Sequence, residues 1–205
     1  MMFRVVLSSI IGYLLGSVNT SIIVGKLFFK TDIREQGSGN AGATNAFRTL
    51  GKGAAAAVLA GDFLKGVISC LLGRYLGGEL IPGVYAGEYA AGLFAVLGHN
   101  WPVYFDFKGG KGVLTSFAVL LMFSPMAALI CLAAFILIVA LTRYVSLGSI
   151  IGAAIFPVAA YFCGGPSLLI AVGTFLASLI IIRHRANIQR LLEGSEKKLN
   201  FKQKK

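Results

Sequence analysis

An all-α integral membrane protein with seven transmembrane helices, its N-terminus outside and its C-terminus cytoplasmic, is what this sequence predicts, on three observations. Of 205 residues, 57% are hydrophobic and 13% charged, a balance too apolar for an ordinary soluble domain and a length too short for two large ones. Seven apolar runs alternate with polar segments. Seven crossings put 16 of the 19 basic residues on one side, those in Lys26 to Lys52, Lys108 to Lys111, Arg143 and Arg183 to Lys205, leaving Arg4 and Arg74 opposite and Lys65 inside a span. The positive-inside rule makes that side cytoplasmic. Residues 1–205 are read as one integral membrane domain, with 191–205 a basic cytoplasmic tail.

The runs are Arg4 to Leu27, Gly53 to Leu76, Val84 to Leu97, Val113 to Phe123, Pro125 to Leu141, Leu147 to Cys163 and Ser167 to Ile182. The first resembles a signal peptide, but no small-residue cleavage site follows between Gly16 and Gly25, so it is read as a retained span. Gly112 to Leu141 is longer than the roughly 17 to 25 residues that one crossing needs. Ser124 and Pro125 interrupt it, and a single long span would set Arg143 opposite Lys108 and Lys111, so two spans are expected. The net charge of +11 lies in short loops and the tail rather than on a soluble surface; it fits an anionic leaflet and argues against nucleic acid. Cys70, Cys131 and Cys163 lie in apolar runs without metal or disulfide spacing and read as small buried hydrophobes.

The loops carry the chemistry. GSGNAGATNAFR, Gly37 to Arg48, has Gly, Ser, Thr or Asn at seven of its twelve positions, a composition that disfavours a helix and suits a folded-back ligand loop. Ser38, Asn40, Thr44 and Asn45 offer hydrogen bonds to a polyol or phosphate, the glycines Gly37, Gly39 and Gly42 allow close backbone approach, and Arg48 can grip phosphate bidentately. A plain linker is the alternative. In GHNWPVYFDFKGGKG, Gly109, Gly110, Lys111 and Gly112 immediately precede the fourth run, so their amides are expected at a helix N-terminus that favours an anion, with Lys108 and Lys111 adding charge. It is not a Walker A loop, and a flexible turn with topogenic lysines competes with it.

Asp62 and Lys65 share a helical face inside the second span, pointing either at a polar site or at each other. Glu35, Glu79, Glu88 and Asp106 read as loop or interfacial acids. Ser146 and Ser149 share the first turn of the sixth run, near Arg143, as helix caps or ligand contacts. His99 and His184 titrate near neutrality and can act as bases, although neither has a nucleophile nearby in sequence.

From Gly16 to Lys198 the chain resembles the acyl-phosphate-dependent glycerol-3-phosphate acyltransferases of bacteria, the PlsY family. The motifs that carry the resemblance are GSGNAGATNAFR, Asp62-x-x-Lys65-Gly66, GHNWPVYFDFKGGKGV, RYVSLGS and RHRANIQRLLEGSEKK. Family members commonly place a proline after Gly-Ser in the first span, where this chain has Gly16-Ser17-Val18-Asn19. The resemblance implies acyl transfer from acyl phosphate to the 1-hydroxyl of sn-glycerol 3-phosphate in a bacterial inner membrane, with functional coupling to the enzyme that forms acyl phosphate. It implies catalytic roles for Ser38, Arg48, Lys111, Ser149 and Asn187, with Gly109 and Gly110 offering amides; it does not require His184 as the base, which leaves that histidine an auxiliary orienter. Acyl phosphate already has a good leaving group, so positioning and charge stabilisation suffice and no catalytic triad is needed. The His-x4-Asp pair of another acyltransferase superfamily is missing, since Tyr104 and Gln189 stand five residues after the two histidines. No cofactor and no metal are expected. A transporter of phosphorylated or anionic solutes and a lipid-binding assembly protein are the competing functions.

Overall fold

The computed structural model describes residues 1–200; the last five of the basic tail lie outside the described residues. The chain forms two compact units, Met1–Met122 and Phe123–Lys205.

In the first unit the predicted first span is broken. Helix α1, Met2–Ser17, stops at extended Val18, and α2, Thr20–Phe28, begins after Asn19, whose Oδ1 accepts the Ile22 amide at 3.2 Å and the Ser21 hydroxyl at 2.8 Å. An asparagine cap thus creates the break without proline. A short helix, α3 (Ala43–Thr49), leads into the long α4 (Lys52–Gly77). A two-stranded antiparallel pair, β1 (Glu79–Ile81) and β2 (Val84–Tyr85), is an addition to the all-helical expectation. Helix α5, Ala86–Asn100, and α6, Val113–Phe123, complete the unit.

Helix α5 packs on α1 and α4 through small residues: a Cβ on Gly12 or Gly16 would collide with the backbone of Ala91 or Ala95. Close backbone approach is how helices associate where lipid removes the hydrophobic drive. Glu88, in the first turn of α5, is 5% exposed, and α4 and α5 cross closely nearby, at Gly73, Gly77 and Gly87. Beneath the first loop, Ile22, Ile33, Ala41, Ala46 and Val58 form an apolar cluster.

In the second unit, α7 (Pro125–Thr142) starts on a proline, which suits the first helical position, and ends where Arg143 turns left-handed at φ 63°. Helix α8, Val145–Phe162, packs against α7 and against α9, Ser167–Arg183, with Phe156 closing over Gly173. At His184 the chain bends by 57° into α10, Arg185–Leu192. Cys163, expected to be buried, is exposed just past the end of α8.

Among the described residues, four segments are long and apolar enough to cross a membrane: Met2–Phe28, Lys52–Gly77, Pro125–Thr142 and Val145–Phe162, with Ser167–Arg183 plus Arg185–Leu192 a fifth if counted as one bent span. Helices α5 and α6, at 15 and 11 residues, fall short of a full crossing by length alone.

Candidate active site

The loop between α2 and α3 is folded around two side chains. Asp32 accepts the Arg34 amide at 3.0 Å, capping a short 3-10 turn at Ile33–Glu35, and pairs with the Arg34 guanidinium at 2.8 Å and Lys26 at 3.4 Å. The Arg34 hydrogen bond holds the Asp32 carboxyl well below the usual carboxylate range. Asn45, 1% exposed, accepts the Ser38 amide at 2.9 Å and donates to the carbonyls of Ile33 at 3.1 Å and Gln36 at 2.9 Å. Its amide therefore shapes the loop. This also explains why α3 forms where a loop was expected: an asparagine engaged elsewhere no longer competes for its own helix backbone. Gly37 and Gly39 are left-handed, and a Cβ on Gly37 would strike Asn45 Oδ1. Ser38 is left exposed, and Asn40, Gly42, Thr44 and Arg48 are half-buried.

The 101–112 loop is tied to the first. Arg34 Nη1 donates to the carbonyls of Phe105 at 2.9 Å and Lys108 at 3.4 Å. The expected amide cradle is not there: the Gly109 amide donates to the Asn100 carbonyl at 3.2 Å and the Gly110 amide to that of His99 at 3.1 Å. Since α6 starts only at Val113, these glycines lie before its first turn and close the C-terminal end of α5 instead, satisfying carbonyls that a helix end leaves open. No larger residue fits at Gly110, because a Cβ would collide with His99 Nε2 and the Ala41 carbonyl. Lys108 is exposed and Lys111 half-buried.

Beneath the loop lies a buried polar cluster. The Lys65 ammonium donates to Asp62 Oδ1 at 2.9 Å, to His99 Nδ1 at 3.0 Å and to the Val18 carbonyl freed by the α1–α2 break at 3.0 Å. Thr20 donates to Asp62 Oδ1 at 3.3 Å, and Thr115 to the Asp62 carbonyl at 3.2 Å. Asp62 and Lys65 thus pair with each other. Because an ammonium only donates, His99 Nδ1 is the unprotonated ring nitrogen facing it.

In the second unit the organising residue is one that the sequence reading passed over. Glu196, 9% exposed, accepts the Ser146 hydroxyl and the Asn187 side-chain amide on Oε1, both at 2.7 Å, and Arg190 Nε on Oε2 at 2.8 Å. Burial alone would push its carboxyl up; the hydrogen bonds from Ser146, Asn187 and Arg190 outweigh it and hold the group below its ordinary value. The expected tail is therefore folded back at least this far. Beyond Glu196, the Leu199 amide donates to the Arg143 carbonyl at 2.7 Å, and Lys198 lies 5.4 Å over the Tyr144 ring. Arg143 itself is exposed.

Of the two readings of these serines, caps or ligand contacts, capping of α8 is not what the structure has: Ser146 turns to Glu196, and Ser149 bonds back to the Val145 carbonyl at 2.9 Å. His184, 3% exposed, sets Nδ1 2.8 Å from the Ile180 carbonyl, so Nδ1 carries the proton. The one sequence signal for Glu196 was its position as an acid within a strongly basic segment.

Residues 6–194 match the family model described as glycerol-3-phosphate acyltransferase. The chain belongs to that family. It is 45% identical to the glycerol-3-phosphate acyltransferase of Clostridioides difficile over 98% of each chain, and 44% identical to that of Bacillus subtilis over 94% of this chain and 96% of the relative. Among solved structures it is similar to PlsY (YgiH), an integral membrane glycerol 3-phosphate acyltransferase. The glycerol 3-phosphate form matches with a TM-score of 0.88 and 38% identity over 96% of both chains. The lysophosphatidic acid form matches with a TM-score of 0.85 and 37% identity, over 96% of this chain and 95% of that one. That neighbour is an integral membrane protein, in keeping with the apolar helices here.

Proposed function

We propose that this chain moves a fatty acyl group from acyl phosphate to the 1-hydroxyl of sn-glycerol 3-phosphate, giving lysophosphatidate and inorganic phosphate at the cytoplasmic face of a bacterial inner membrane. Family membership supports the acceptor. The observation that carries the reading is the fastening of two cationic loops by Arg34, which makes the segment bearing Ser38 and Arg48 a neighbour of the one bearing Lys108 and Lys111.

The hydroxyl oxygen attacks the acyl carbonyl carbon. The bond from that carbon to the phosphate oxygen breaks, and the phosphate leaves with the electron pair and takes up the hydroxyl proton. Lys111, helped by Lys108, holds the departing phosphate. Arg48 grips the acceptor phosphate through its planar fork and Ser38 orients the acceptor. Ser149 and Asn187 take their catalytic roles from the family resemblance; His184 serves as an auxiliary orienter, and Asn40, Thr44, Arg143 and Ser146 contact substrate through their polar or charged side chains. Seven crossings with an outside N-terminus and a cytoplasmic C-terminus follow from the charge distribution, the short α5 and α6 being met by local bilayer thinning. Both units act as one acyltransferase domain, coupled to the enzyme that supplies acyl phosphate.

The test is phosphate release and lysophosphatidate formation from acyl phosphate and from acyl thioester. Lys111→Ala and Arg48→Ala are each expected to lower kcat/KM by roughly a hundredfold or more, as loss of one charge-stabilising group does elsewhere. Near-wild-type rates in both folded variants refute the assignment, and solute flux into proteoliposomes without acyl donor points to a transporter instead.

A further inference from the structure

We propose that His99, held by the buried Lys65–Asp62 pair, is a positioning residue that sets the glycine loop and therefore the place of Lys111; this deepens the reading above and rests on it. Two opposite faces of one residue carry the inference. On its ring, Nδ1 receives the Lys65 ammonium at 3.0 Å, and Lys65 is fixed in turn by Asp62 and Val18. On its backbone, the carbonyl receives the Gly110 amide at 3.1 Å, one residue before Lys111. The other ring edge closes the circuit, since Nε2 lies where a Cβ on Gly110 would have to go. The ring is thus packed between the charged cluster and the loop, and His99 is 4% exposed.

Four pieces of the first unit meet at this point: the α1–α2 break through Val18 and Thr20, α4 through Asp62 and Lys65, the end of α5 through His99, and the start of α6 through Thr115. A charged group taken out of water gains its fullest interaction when every donor is matched, and such a network fixes geometry. Here that geometry is transmitted to a loop whose lysine handles phosphate, where a displacement of about 1 Å is enough to slow a reaction roughly a hundredfold.

Two replacements of His99 separate the ring nitrogens, because an asparagine carboxamide reaches about as far as Nδ1 and a glutamine carboxamide about as far as Nε2. Steady-state kinetics are measured with varied glycerol 3-phosphate, together with hydrogen exchange of the peptide covering residues 101–112 in detergent micelles. His99→Gln is expected to lower kcat by roughly tenfold or more with KM for glycerol 3-phosphate within about twofold, and to speed exchange of that peptide, while His99→Asn recovers most of the loss. Equal loss in both variants, or unchanged exchange in His99→Gln, overturns the proposal. A rise in KM with kcat intact also overturns it, since that marks a direct acceptor contact.

If His99→Gln does not fold, the charge-balanced pair Asp62→Asn with Lys65→Gln asks the same question: faster exchange at 101–112 supports the proposal and wild-type exchange overturns it. Lys111→Ala is assayed beside them. Full activity there removes the reading of the active site itself; an inactive Lys111→Ala beside a wild-type His99→Gln removes only the positioning role.

Discussion

The two units hold their polar residues by opposite means. In the first, the charges are inside the helices: Lys65 and Asp62, both nearly inaccessible, gather His99, Val18, Thr20 and Thr115, and the loop is tied to the end of α5 by main-chain bonds. In the second, an acid from beyond the last helix turns back and collects a serine, an amide and a guanidinium on one carboxylate. The internal network answers to burial and fit, and the external one to protons and salt.

Breaking the internal network is expected to give the largest effect. Lys65→Met leaves Asp62 buried and uncompensated, a change that costs about 3–5 kcal/mol. Thermal unfolding in detergent should show it as a large fall in melting temperature, and Asp62→Asn added to Lys65→Met should restore part of it. Equal stability of the single and double variants would remove the buried-pair account.

Glu196→Ala comes next, at about 1–3 kcal/mol for a buried donor left without its acceptor. This contrast is sharpened by pH. Glu196 is held below its ordinary value of 4.5, so its contribution is fully present above that value and disappears as pH falls through the lower folded one. The melting temperature of the wild type is therefore expected to keep its distance from that of Glu196→Gln down to about pH 4.5, and to approach it as pH falls from there through the lower folded value. A constant gap across that range contradicts the charge-based account of the tail.

The smallest expected effect lies at the surface of the first unit. Arg34→Lys keeps the charge opposite Asp32 but loses the fork that reaches Phe105 and Lys108. With Asp32 and Arg34 partly solvated, the change in stability is expected to stay under about 1 kcal/mol. A raised KM with an unchanged melting temperature would show that the tie between the loops serves the substrate site more than the fold.

The helices were legible because apolar runs and charge asymmetry record the bilayer directly; the split at Ser124 and Pro125 follows from the same pattern. The candidate loops were legible because glycine, cations and amides cluster there. What was not legible depended on the direction of individual hydrogen bonds. By sequence the amides of Gly109 and Gly110 face an anion; in the structure they face α5, since where a helix starts is a tertiary matter of two or three residues. By sequence Asn45 is a ligand contact, yet three bonds within its own loop occupy its amide. Glu196 was hidden because nothing local marks an acid that returns to meet residues up to fifty positions earlier.

The contact of Gly12 and Gly16 with Ala91 and Ala95 has a bearing on the lipid environment. Two helices that touch main chain to main chain cannot slide along one another by a turn, so the depth of His99 is set by α1 and not by the membrane around it. Hosts that change the length of their fatty acids alter bilayer thickness by a few ångströms, and this pair answers by tilting together or by drawing lipid inward. The surroundings of His99 thus keep their internal geometry in bilayers of different thickness.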